Sequence, residues 1–185
     1  MGSNNILPLV LEPNPLLHQV SHLVTDINEE IRDFAQKLIA TMQYHNGLGL
    51  AAVQVGVLKR IIAIDITNKG QVEDDYLRLN EGPMILINPE IVEHSKDTKV
   101  YQEGCLSFGH IYPEIARPNK IKVKYWDLNG VENLLEASDN IISSCIQHEI
   151  DHTNGIVFVD RLSKLKKEFM IKKYLKWRKM QQHNL

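Results

Sequence analysis

From residue 26 to residue 45, apolar Ile27, Ile31, Phe34 and Leu38 recur at steps of three and four, with Ile39 beside Leu38. That step lays them on one helical face, and Asp26, Glu29 and Glu30 give the acidic start that a helix dipole favours. The pattern predicts a helix over about 26–45, stopped by His45-Asn46-Gly47. Ile-rich Leu58 to Ile66 reads as a strand, and polar residues 67–83 as a loop. Met84 to Ile87 and Ile91-Val92 are strand-like pieces around Asn88-Pro89. Lys120 to Trp126 alternates, and Asp127-Leu128-Asn129-Gly130 turns it into Val131–Leu135, which predicts a hairpin. Ser138 or Asp139 caps a helix running to about His152, closed by Asn154-Gly155, and a last helix spans about 161–182. Pro8, Pro13 and Pro15 make the start extended and irregular. The sum is an α+β class: mixed or antiparallel sheets around a central helix, with a C-terminal helix.

A chain of 185 residues with 43% hydrophobic positions suits one globular body without disulfide staples. Two cysteines, Cys105 and Cys145, are too few for a disulfide framework and point to a reducing compartment. No basic-then-apolar leader opens the chain and no apolar run reaches spanning length, so no membrane contact and a cytoplasmic location are expected. The net charge of −2 hides an asymmetry: residues 160–185 carry nine Lys/Arg and two Asp/Glu, so the remainder is acidic. The division expected is a body over 1–160 and a basic helix over 161–185, whose partner would be anionic.

His148-Glu149-Ile150-Asp151-His152 carries the strongest chemistry. Residues four apart on a helix lie one turn above each other, so both imidazoles can reach one ion. Glu149 can then address a water activated by that ion. The bland alternative is two surface histidines among solvated acids, but Ile141, Ile142, Cys145 and Ile146 make the helix apolar and buried. A third ligand is needed, and Glu103-Gly104-Cys105-Leu106-Ser107 offers the Cys105 thiolate. Such a trio leaves one open position, the catalytic pattern. A small buried hydrophobe is the equally open reading of Cys105. Cys145, three residues before His148, makes a fourth protein ligand conceivable.

Gly47-Leu48-Gly49-Leu50-Ala51-Ala52-Val53-Gln54 lacks the Gly-Lys-Ser/Thr of a phosphate loop. Gln54 can donate amide hydrogens to a developing oxyanion, whereas the stretch taken alone reads more simply as a packing turn.

Together these three segments resemble the peptide deformylase family, whose pattern is Gly-hydrophobic-Gly-hydrophobic-Ala-Ala-x-Gln, then Glu-Gly-Cys-Leu-Ser, then His-Glu-x-Asp-His. All three stand here in that order, at 47–54, 103–107 and 148–152. The resemblance extends to Ile87-Asn88-Pro89, Cys145-Ile146-Gln147 and Asp160-Arg161-Leu162-Ser163, and covers roughly residues 6–165.

The resemblance implies removal of the N-formyl group from the initiator methionine of new polypeptides, with release of formate, and makes residues 1–160 the catalytic domain. It implies Cys105, His148 and His152 as metal ligands and Glu149 as the general base and acid. It implies the Gln54 amide and the Leu106 backbone N–H as oxyanion donors. Leu48, Tyr101, Ile141, Ser144, Cys145 and His148 would line a methionine pocket, and Gly49 and Gly104 would offer backbone bonds to the peptide. Glu103 would pair with Arg117 behind the ligands. The donor set alone suits zinc; the resemblance implies ferrous iron, with zinc, nickel or cobalt as replacements. It also implies a basic C-terminal helix that docks on ribosomal RNA; a solvated helix packed on the body is the even alternative, and a monomer is expected. Asp151 either orients a neighbour or is simply a polar helix residue. Departures are Phe108-Gly109-His110-Ile111-Tyr112 in place of a Val-Pro-Gly-x-Tyr rim, Asn140 for a glycine, Ser144 for a larger apolar residue, and Thr153 for a leucine. His110 is then a substrate-side group or an exposed loop residue. The rivals are a metalloendopeptidase and a metal-binding protein without turnover.

Overall fold

The computed structural model describes residues 5–65, 82–138 and 141–183. The expected loop over 67–83 falls mostly outside that range, as do Asp139 and Asn140. Among the described residues the order is α1 (Glu29–Tyr44), β1 (Gly49–Ala51), β2 (Ile61–Ile64), β3 (Met84–His94), β4 (Thr98–Gln102), β5 (Glu114–Pro118), β6 (Lys120–Trp126), β7 (Glu132–Ser138), α2 (Ile141–Thr153) and α3 (Lys164–His183). Five strands form one sheet in the order β1-β2-β3-β6-β7, and β4-β5 form a separate two-stranded ribbon. Every named pairing is antiparallel, which bears out the α+β expectation.

The sheet is covered on both faces, and β2 shows how. Ile61 and Ala63 face a core shared with Ala35, Leu38 and Met42 of α1. Ile62 and Ile64 face the opposite core, with Ile142, Ile146 and Ile150 of α2. A strand buried on both sides reads as a continuous apolar run, which is why 61–64 stands out in the sequence. Each fully buried Ile contributes roughly 1.5–3 kcal/mol of transfer free energy. That double cover fixes α2 against the inner face beside β1, and so places its histidines.

The element boundaries differ from expectation for local reasons. α1 starts at Glu29 because the Asn28 side chain accepts the Ile31 N–H at 3.2 Å, acting as the cap. The two pieces expected around Asn88-Pro89 are one strand, with a register shift between Ile87 and Glu90. Asn88 sits at φ 52 and exchanges two 2.8 Å hydrogen bonds with the Val24 backbone, which holds the bulge in place. Ser138 does not cap α2; it ends β7, opposite Lys120. α3 starts at Lys164, because residues 158–161 form a separate 3₁₀ turn.

Candidate active site

Gly49 and Leu50 lie on β1, the edge strand of the large sheet, and Tyr101 and Gln102 close β4 of the ribbon. Between them and α2 lies a cleft of about 620 Å³. Leu48, Gly49, Gln54, Tyr101, Gly104, Cys105, Leu106, Ile141, Ser144, Cys145, His148 and Glu149 all line it. Gly49 is needed for close approach. A Cβ there would lie 2.6 Å from Glu149 Cγ and Oε1 and 2.8 Å from Cys145 Sγ.

Cys105, His148 and His152 converge at the base, with their ligand atoms all within 4.8 Å of one another. They form the one such group of three among the described residues, and Cys145 is not part of it. The two imidazoles lie 5.0 Å apart on successive turns of α2, as the four-residue step requires. His152 Nε2 stands 3.3 Å from Cys105 Sγ. His148 Nδ1–H donates to Glu103 Oε2 at 2.9 Å, which leaves its Nε2 for an ion. Burial lowers the basicity of both rings; in His148 bonds to Cys105 and Glu103 outweigh it, whereas neighbouring His148 depresses His152 further. Glu149 Oε2 and His152 Nδ1 are buried with no hydrogen-bond partner among the described residues. One sulfur and two imidazole nitrogens suit a metal centre with an open coordination position, and the orphaned Glu149 Oε2 stands beside them to meet a water there.

Behind the donors runs a chain of charge. Glu103 accepts from Arg117 Nε and Nη2, from His148, and from the Ser144 hydroxyl at 2.8 Å. Burial raises the Glu103 carboxyl, but these donors outweigh it and bring its pKa down to about 2. Arg117, 1% exposed, also donates from Nη1 to Asp151 at 2.8 Å. Arg161 grips the same Asp151 with two nitrogens. Glu149 is the opposite case: burial, the largest effect, pushes it up to about 7.

The polypeptide deformylase family model matches residues 6–168. A peptide deformylase of Rhizobium meliloti is 42% identical over 171 residues, covering 92% of this chain and 93% of that protein. The chain belongs to the peptide deformylase family. Its fold also matches the crystal structure of peptide deformylase from Ehrlichia chaffeensis at TM-score 0.85 and 39% identity, covering 95% of this chain and 98% of that one. A second Ehrlichia chaffeensis deformylase structure, in complex with actinonin, matches at TM-score 0.83 and 40% identity, covering 92% of this chain and 96% of that one.

Deformylase motifs separated in sequence thus meet in one cleft, with some partners that local reading misses. The Gln54 Nε2 lies 3.5 Å from Cys105 Sγ and 3.2 Å from Ser107 Oγ, while its Oε1 accepts the Ala51 N–H at 2.8 Å. Its amide is therefore clamped at both ends beside the sulfur. Ser107, fully buried, has no periodic pattern that would flag it as a partner of Gln54. Ser144 lines the cleft and also serves Glu103, which the pocket-wall reading leaves out. Asp151 does orient neighbours: it bridges Arg117 and Arg161. Arg161 lies ten residues after Asp151 and beyond the end of α2, so no helical spacing could pair the two. His110 is exposed at the cleft rim, its ring edge-on to Trp177 at 5.1 Å.

Proposed function

We propose that this deformylase removes the formyl group from the N-terminal methionine of new polypeptides, releasing formate. The observation that carries the reading is the Cys105, His148 and His152 donor set with the unpartnered Oε2 of Glu149 beside it in an open cleft. Ferrous iron is the proposed native metal, with zinc, nickel or cobalt as substitutes. Bound by those three donors, such an ion supplies Lewis acidity and lets water ionise at a pH of roughly 7.

Glu149 takes the proton of the attacking water and hands it to the leaving nitrogen; burial raises its carboxyl, which helps it to hold that proton between the two steps. The Gln54 amide and the Leu106 N–H steady the oxyanion. Leu48, Tyr101, Ile141, Cys145 and the carbon edge of Ser144 hold the methionine side chain. Gly49 and Gly104 take the peptide as an added strand between two sheet edges, which supplies main-chain affinity without a sequence requirement. Glu103, backed by Arg117, fixes the His148 ring so that Nε2 faces the ion.

The chemistry belongs to residues 1–160, and the appended basic segment 161–185 anchors the enzyme to ribosomal RNA. Exposed Lys164, Lys166, Lys172, Lys173, Lys176 and Lys179 on α3 support this, since basic faces bind phosphate backbones. Among the described residues no helix is long and apolar enough to cross a membrane. A cytoplasmic monomer completes the proposal.

The test is anaerobic formate release from formyl-Met-Ala-Ser, with Glu149→Ala as the comparison. Metal-dependent release by wild type and its loss in the variant are expected. Equal release by both removes the role of Glu149, and cleavage of an unformylated peptide bond without formate points to an endopeptidase.

A further inference from the structure

Helix α3 does more than present lysines outward; its inner face closes over the rim of the cleft. The rim turn follows Cys105 directly. The Phe108 N–H donates to the Cys105 carbonyl at 3.0 Å, and Cys105 and Gly109 form an antiparallel bridge. Phe108 and Ile111 point inward and are buried in a cluster with Phe158 and Tyr174. Gly109 and His110 remain at the mouth of the cleft, next to Tyr112, which is 53% exposed.

Trp177 covers this turn from behind. A Cβ on Gly109 would lie 2.5 Å from the indole Cη2, so the ring occupies the space a side chain would need. Gly109 also has φ +60, so two constraints meet at one glycine. The His110 ring meets the same indole edge-on at 83°. Trp177 is itself fixed. Tyr174, one helical turn before it and fully buried, donates its hydroxyl to the Glu12 carbonyl at 2.8 Å, and Arg178 donates to that same carbonyl. The rim lacks the stiffening of a proline, and an indole held by an anchored helix takes that place.

We propose that Trp177 is a positioning residue that holds the Gly109–His110 turn in register with the cleft and so sets the fit of the polypeptide beyond its formyl-methionine. It rests on the deformylase reading and deepens it. The reacting end of the cleft is built by Cys105, His148 and Glu149, whereas half-buried Gly109 and the exposed His110 and Tyr112 stand at the end a longer chain must cross. Tyr112 lies against Gly104: a Cβ on Gly104 would sit 2.7 Å from its Cε1. A peptide pairing with the Gly104 backbone therefore passes the segment that Trp177 secures.

The test compares metal-loaded wild type, Trp177→Ala, Trp177→Phe and His110→Ala on formyl-methionine amide and on a formyl-pentapeptide. An aromatic contact of this kind is worth a KM increase of about fivefold on the pentapeptide for Trp177→Ala, with kcat within about twofold. Trp177→Phe restores most of the loss, His110→Ala shifts KM in the same direction, and formyl-methionine amide is turned over as in wild type. Unchanged KM for the pentapeptide in both Trp177→Ala and His110→Ala overturns the proposal. So does an equal loss on both substrates, which marks general destabilisation; should Trp177→Ala not fold, His110→Ala and Trp177→Phe decide alone. Absence of formate from wild type with either substrate would instead sink the deformylase reading.

Discussion

Replacing Arg117 by Met tests the charge chain behind the metal donors. Arg117 is 1% exposed, and its guanidinium serves two buried carboxylates, Glu103 and Asp151. Met fills much of the volume but offers no donor, so Glu103 keeps only the Ser144 hydroxyl and His148, and Asp151 keeps Arg161. Breaking a buried ion pair on one side typically costs about 3–5 kcal/mol. The Glu103 carboxyl, brought from 4.5 to about 2 by Arg117 and His148 together, gains stability on folding in the same direction, and Arg117 supplies part of that gain. The sign follows from the lowered pKa: the contribution is whole above the unfolded value near 4.5 and disappears as pH falls toward 2. At pH 7 the variant should therefore unfold roughly 10 °C lower, since each kcal/mol is worth about 2–4 °C in a chain of this size. The gap to wild type should close as the pH drops below about 4. Thermal unfolding followed by circular dichroism across pH, with and without chelator, measures both. A variant within about 1 kcal/mol of wild type at pH 7 would refute the argument, because it would mean that desolvation of the ions cancels their attraction.

Gly49→Ala should cut formate release at least tenfold with little change in the unfolding temperature, because the added methyl meets the Glu149 carboxylate and the Cys145 sulfur; an active Gly49→Ala enzyme refutes that close approach. For Glu149 the deprotonated form is the base, so kcat/KM should fall on the acid side of an inflection at or below about 7, a bound cation moving it downward from the value set by burial; a flat profile from pH 5 to 8 would contradict it. Cys105→Ser should release the metal, read by elemental analysis, because the hard hydroxyl is a poor substitute for a thiolate; full metal content would remove Cys105 from the donor set. Reversing Lys172, Lys173 and Lys176 to Glu should weaken salt-sensitive co-sedimentation with ribosomes and spare hydrolysis of a short formyl-peptide, all three being exposed; unchanged co-sedimentation removes the anchor.

What the chain determined by itself is what depends on neighbours in sequence. The four-residue step of His148 and His152, with Glu149 between them, is a helical relation and survives in α2 unchanged. The amphipathic face of α1 and the hairpin of β6 and β7 are local for the same reason. The ribbon β4-β5 gave no such signal: Thr98-Lys99-Val100-Tyr101-Gln102 is largely exposed, so no apolar alternation marks it. The three-residue β1 is too short to show a period, and only pairing with β2 makes it an edge. Cys105 lies 47 residues before His152. Its position there was legible through family resemblance, because no spacing rule spans that distance. Tertiary packing decides that contact, and with it the Glu103–Arg117–Asp151–Arg161 chain, the Ser107 clamp on Gln54 and the covering of Gly109 by Trp177. Each joins residues far apart in the chain, and periodicity along a chain carries no information about which distant faces will meet.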